Sequence, residues 1–357
     1  GSVWVANSQQ QAIGRANTEV LELNTVVAST GNDLEVVQQG TTVLLLDRTQ
    51  NTVDIVDPAT SAVTDSVPLP PNQPEVYLAG DRVIVLEKGT GELWIVPLAS
   101  FASFDSESQS TLNLGAQAIV SVDPAGLLFA FSPSTGLVYR VNTAVSDTVE
   151  STSALSLGSA QLGLSITSVG GRWAVLDAQS DQVYVDGRTI DLTGLIGAGS
   201  GAVLQSASET GSDVLVSYSA GLLSVPFSGD PAAVVTGRSG TAAQALVLDG
   251  CTYAAWTDGT NWRRCANDPA NGTSIALSSM TGTARLSFDT NGSRAVLNDR
   301  RTGATWAVQR DGELIDNWDD LIVVDDQTPQ DQQNDENLPP QVENVQAPPV
   351  AIDDAFG

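Results

Sequence analysis

The chain has no histidine at all, one lysine (Lys88) and two cysteines among 357 residues. The missing imidazole removes the commonest general base, the Ser-His-Asp and Cys-His nucleophile systems, and every His-ligated zinc or iron site. Basic residues number 15 against 42 acids, a formal charge of −27. Phosphate binding needs clustered Lys and Arg, so nucleic-acid binding is not expected. No run approaches the ~20 apolar residues of a membrane span, and aromatics make up only 5% of the chain. No dense Asp-X-Asp-X-Asp-Gly loop offers calcium ligands, so neither metal nor cofactor is expected. What is abundant is Gly, Ser, Thr, Val, Asp and Gln, a balance that favours short strands joined by tight turns.

Internal periodicity organises these residues. An apolar strand followed by a polar turn recurs as Val3-Trp4-Val5-Ala6-Asn7, Val43-Leu44-Leu45-Leu46-Asp47, Val83-Ile84-Val85-Leu86-Glu87, Leu128-Phe129-Ala130-Phe131-Ser132 and Trp173-Ala174-Val175-Leu176-Asp177. The stretches 214–218, 252–256 and 295–299 complete the set, and the period is 40–45 residues. A second strand follows each turn, the last at 305–308, and a glycine-rich turn precedes each apolar strand (Gly40, Gly80, Gly126, Gly171, Gly211, Gly250, Gly292). Such a unit is apolar on both faces and cannot bury itself alone; identical units packed around an axis can. The expected fold is an all-β propeller of eight four-stranded blades, with seven as the alternative. Only seven innermost strands can be read, and the run Leu321-Ile322-Val323-Val324 is expected to supply the eighth by pairing into the N-terminal blade.

The opening Trp4-Val5-Ala6-Asn7, and the run Asn51-Thr52-Val53-Asp54-Ile55-Val56-Asp57-Pro58-Ala59-Thr60 with Val67-Pro68-Leu69-Pro70 after it, resemble the YVTN class of propeller repeat. The resemblance is best over the first two units and fades after Gly115. It implies an extracellular, surface-associated propeller. Together with the ending Pro348-Pro349-Val350-Ala351-Ile352-Asp353-Asp354, it resembles large actinobacterial surface proteins with a propeller-like head and tandem Ig-like or fibronectin type III repeats. That implies a propeller over 1–326, an acidic Pro/Gln/Asn-rich linker over 327–347 and the start of an Ig-like repeat over 348–357. From Asp311 onward there are thirteen acids and no base, so the tail is too charged to collapse. An export signal and a membrane anchor are expected outside 1–357.

Cys251 and Cys265 flank the hairpin loop Thr257-Asp258-Gly259. In the register that this loop sets, the two residues face each other, so a structural disulfide and an oxidising compartment are expected. Acids at strand ends (Asp47, Asp57, Glu87, Asp177, Asp258, Asp299) recur in the repeat and read as turn residues that accept local backbone hydrogen bonds. Tryptophans 4, 94, 173, 256, 262 and 306 are expected to pack between blades; a carbohydrate platform would require an exposed ring. No catalytic residue is identified and the binding residues stay open. The function expected is a monomeric, non-enzymatic extracellular head that presents loops to a protein or glycan. The alternatives are a hydrolase or lyase with carboxylates in the channel, favoured by acids gathered there with shifted pKa, and a structural module of the envelope.

Overall fold

The computed structural model describes residues 2–157 and 163–322. The chain is a β-propeller in which eight antiparallel sheets follow one another along the sequence. Strands are lettered A to D here from the axis outward. The B strands are Ser2–Asn7, Thr42–Asp47, Arg82–Glu87, Leu127–Ser132, Arg172–Asp177, Asp213–Tyr218, Cys251–Trp256 and Arg294–Asp299, one in each blade. The A strands of blades two to eight are Leu34–Gln39, Pro74–Ala79, Ile119–Val122, Leu164–Val169, Val203–Leu204, Leu246–Leu248 and Leu286–Asn291.

The unbroken apolar runs of the B strands follow from their position between two neighbours. In blade two, Val43 and Leu45 pack with Trp4, Ala6 and Ile13 of blade one. Leu44 and Leu46 point the other way, against Val83, Val85 and Trp94 of blade three. A strand buried on both faces has no reason to alternate apolar with polar residues. The core is therefore a succession of clusters between blades rather than one central mass. The A–B turns need a left-handed residue, which Gly40 (φ 62°) and Gly80 (φ 59°) supply.

Blade one has three strands, Ser2–Asn7, Ala12–Asn17 and Glu22–Ala28, so its B strand stands innermost. Among the described residues of the expected closing strand 321–324, Leu321 ends the helical turn Trp318–Leu321 and Ile322 lies in a bend, so neither pairs into blade one. Val323 and Val324, the linker 327–347 and the segment 348–357 lie outside the described residues. The inner edge of blade one is completed by side chains instead. Gln38 Nε2 donates to Trp4 O (2.8 Å) and its Oε1 accepts the Trp4 N–H (2.9 Å). Asn298 makes the same pair with Ala6, 3.2 Å in each direction. These two amides reproduce what a strand A would have given the Trp4 and Ala6 backbone groups.

Residues 317–318 do close onto blade one, but from outside. Asn317 brackets Leu23 of the outermost strand, accepting its N–H (2.8 Å) and donating to its carbonyl (3.0 Å). Trp318 is buried over Gly14, where a Cβ would sit 2.9 Å from the ring, and donates its indole N–H to Gly303 O (2.9 Å). The last C strand is also shorter than the expected 305–308, covering Thr305–Trp306.

Candidate functional site

The A strands and their turns line a central channel whose two ends differ in charge. At the A–B turn end lies a cavity of about 610 Å³. Its wall includes Gln39, Gly40, Asp123, Glu209, Asp249 and Asn291 and contains no Lys or Arg. Several of these groups are already engaged. Gln39 Oε1 accepts the Gly80 N–H (2.6 Å) while its Nε2 donates to Pro124 O (3.2 Å). Asn291 exchanges two hydrogen bonds with Gly40 (2.8 and 3.0 Å), so blades eight and two are laced together across the strand missing from blade one. Asp123 is buried and accepts the Leu127 N–H (2.9 Å). Glu209 and Asp249 remain exposed.

Lys88, Arg48 and Arg300 stand toward the opposite end, where the B strands finish, whereas Arg82, Arg172 and Arg294 open their B strands at the turn end but outside the cavity wall. Lys88 shares a second cavity of about 410 Å³ with Glu75, Tyr77 and Gln205. Nearby, Glu35 is held between Arg48 (2.9 Å) of its own blade and Arg300 (3.4 Å) of blade eight. Tyr77 donates its hydroxyl to Glu75 Oε2 (2.5 Å), and burial together with that carboxylate pushes the phenol well above its ordinary pKa. On the A strand of blade eight, Asp289 accepts a hydrogen bond from Ser287 Oγ (2.8 Å). Burial raises its carboxyl to about 7, against the lowering effects of Ser287 and the Arg300 charge; Glu35 adds a smaller upward push. Asp289 is half-buried on the innermost strand of its blade, and desolvation dominates.

The expected disulfide is present. Cys251 pairs with Cys265 in register, Trp256 faces Thr260, and the sulfurs are bonded. The strand-end acids act on their own turns. Asp47 Oδ1 accepts the N–H groups of Thr49 and Gln50, and Asp177 Oδ1 those of Gln179 and Ser180. Asp299 holds the Arg301 amide, Asp258 the Thr260 amide and Glu87 the Thr90 hydroxyl; Asp299 and Glu87 also accept amides from the preceding loop, those of Arg285 and Asn72. Asp57 accepts the Ala59 N–H and the Thr60 hydroxyl, and the Ala59 backbone bond leads in drawing its pKa down. Among the described residues no three carboxylates, cysteines or histidines are grouped to hold a metal ion. Sequence reasoning did not single out Glu35, Glu75 or Asp289. The available signal was an ionisable residue inside an A strand, where neighbouring blades carry Ile119, Ser165 or Ser121.

The fold and its polarised channel define a β-propeller, and comparison with solved structures supports that class. The chain resembles apo AztD from Citrobacter koseri at 12% identity and a TM-score of 0.55, over 88% of this chain and 93% of that one. It resembles the dihydro-heme d1 dehydrogenase NirN at 13% identity and a TM-score of 0.59, over 88% and 72%. BamB from Moraxella catarrhalis gives 12% identity and 0.51, over 85% and 89%. At these identities the likeness is one of fold. No family model matches the chain, and no curated protein sequence does.

Proposed function

We propose that the chain is a non-catalytic propeller head, displayed outside the cell within a surface-anchored protein, that binds a protein or glycan partner. The Cys251–Cys265 bond suits an oxidising compartment, and no described helix is long and apolar enough to cross a membrane. The YVTN-like repeats and the proline-aspartate ending support the actinobacterial surface setting. The observation that carries the binding role is that the wall of the channel's wide mouth holds acids and no Lys or Arg. This mouth offers Glu209 and Asp249 without a neighbouring base, whereas Lys88, Arg48 and Arg300 stand toward the other end. An acidic mouth of this kind steers basic partners and repels acidic ones.

The test is capture of cationic peptides by the immobilised protein, with the Glu209→Gln/Asp249→Asn double variant alongside. Binding is expected to weaken in the variant and to fall as salt shortens the Debye length below ~8 Å. Equal, salt-independent binding by both proteins would refute the role of the mouth. Failure to retain any partner would leave the structural envelope module as the better reading.

A second reading, an extracellular hydrolase or lyase, is favoured by one observation. Asp289 is a carboxyl whose pKa stands near 7, and it is influenced by Glu35 and Arg300 of the same region. Turnover on glycan, ester or peptide substrates that disappears in Asp289→Asn would establish it. Absence of turnover in the unmodified protein would favour the binding role.

A further inference from the structure

The second residue of each B strand sits in a slot between blades. Val3, Val43, Val83, Leu128, Val214 and Ala295 fill it and are at most 1% exposed, while blade seven has a half-buried threonine, Thr252. Blade five places Trp173 there; it packs on one side against the cluster between blades four and five, which includes Phe129 and Val138, and stays half-buried. The other six tryptophans are at most 3% exposed. Five of them donate the indole N–H to a backbone carbonyl: Trp94 to Ser108, Trp256 to Tyr218, Trp262 to Asn271, Trp306 to Ser278 and Trp318 to Gly303. Among the described residues the Trp173 indole N–H meets no such acceptor.

Trp173 lines a groove of about 200 Å³ between blades four and five. The facing wall is the exposed D strand Ser151–Ala154, whose Ser151 and Ser153 line the groove. Their hydroxyls likewise make no side-chain hydrogen bond among the described residues. Two planar cations complete the groove, and both charges are already balanced. Arg140 pairs with Glu150 at 3.1 Å and Arg172 with Asp186 at 3.5 Å. Arg172 also lies 4.8 Å over the Phe227 ring and lines the next interblade groove, of about 360 Å³, so the two grooves share a wall.

We propose that these grooves bind a neutral glycan, one sugar against Trp173 and its neighbour beyond Arg172. This site is separate from the acidic mouth and goes beyond the role proposed for it. A half-buried indole at the groove wall beside unpaired hydroxyls and planar polar groups suits a ring with one apolar face and a rim of hydroxyls. Charge decides against an anionic ligand: each guanidinium already has a carboxylate, so a sulfate or carboxylate would have to displace one.

The test uses neutral β-glucan and mannan oligosaccharides with sulfated and sialylated counterparts. Because the other tryptophans are buried, acrylamide-quenchable fluorescence reports Trp173, and a bound neutral oligosaccharide shields it. Trp173→Val installs the residue that four other blades carry, so it keeps the fold. Trp173→Val and the exposed double variant Ser151→Ala/Ser153→Ala are each expected to weaken binding by calorimetry by at least about tenfold. Affinity is expected to be flat with added salt and no higher for sulfated chains. Unchanged affinity in Trp173→Val, or shielding by peptides but not by oligosaccharides, overturns the proposal. If partner binding instead falls only in the Glu209/Asp249 variant, the binding role stands and the glycan grooves do not.

Discussion

Asn298 replaces part of a strand, and its removal gives the strongest test of how blade one is closed. The amide is fully buried and holds both the N–H and the C=O of Ala6, itself 1% exposed. In Asn298→Ala both backbone groups lose their partners where water does not reach. An unsatisfied buried group costs about 1–3 kcal/mol, so two together with the lost side-chain packing amount to roughly 3–5 kcal/mol. Gln38 does the same chemistry for Trp4 from a half-buried position on the channel wall. In Gln38→Ala, channel water can take over both bonds, so the expected loss is about 0.5–1.5 kcal/mol. Urea unfolding gives the two losses, and amide exchange at Trp4 and Ala6 locates them. Asn298→Ala is expected to accelerate exchange throughout Ser2–Asn7. Equal losses for the two variants, or unchanged exchange at Ala6, would show that the amides do not substitute for a strand.

Reduction of the Cys251–Cys265 bond, which closes a loop of sequence separation 14, is expected to lower stability by roughly 3 kcal/mol; non-reducing mass spectrometry should find no free thiol beforehand. Asp289, raised to about 7 by burial, is protonated in the folded chain and ionised in the unfolded one between its ordinary pKa of ~4 and that value. It therefore lowers stability as pH rises across this window and holds that penalty above it. Asp289→Asn should gain steadily on the parent from pH ~4 to ~7 and keep a constant advantage beyond, as read from urea midpoints; a pH-independent difference would refute the assignment. Trp318→Ala removes a buried ring and its bond to Gly303. Its expected loss is about 3–5 kcal/mol, with faster exchange at Leu23.

The parts of the fold that could be read from sequence are those where one short segment dictates its own partners. The B strands declared themselves because burial on two faces forces unbroken apolar runs. The cysteine pair did so because a three-residue loop sets the register across it, as the Cys251–Cys265 and Trp256–Thr260 pairings show. The strand-end aspartates were equally legible, since each bonds amides two or three residues ahead. Closure was misread for a related reason. Leu321-Ile322-Val323-Val324 has strand composition, but the fate of Leu321 is set by Asn317 and Trp318, which hold the helical turn against Leu23 and Gly14. The true inner-edge partners of Ser2–Asn7 are single side chains 34 and 292 residues away, beyond the reach of any local pattern. Trp173 falls between these cases. As expected of a tryptophan it packs between blades, and only its place in the aligned repeat, where other blades carry Val3, Val43, Val83 and Val214, shows that it is also left half-buried at the groove. In a ring of near-identical units, packing needs are met by what the units share, so residues available for recognition are those that break the shared register.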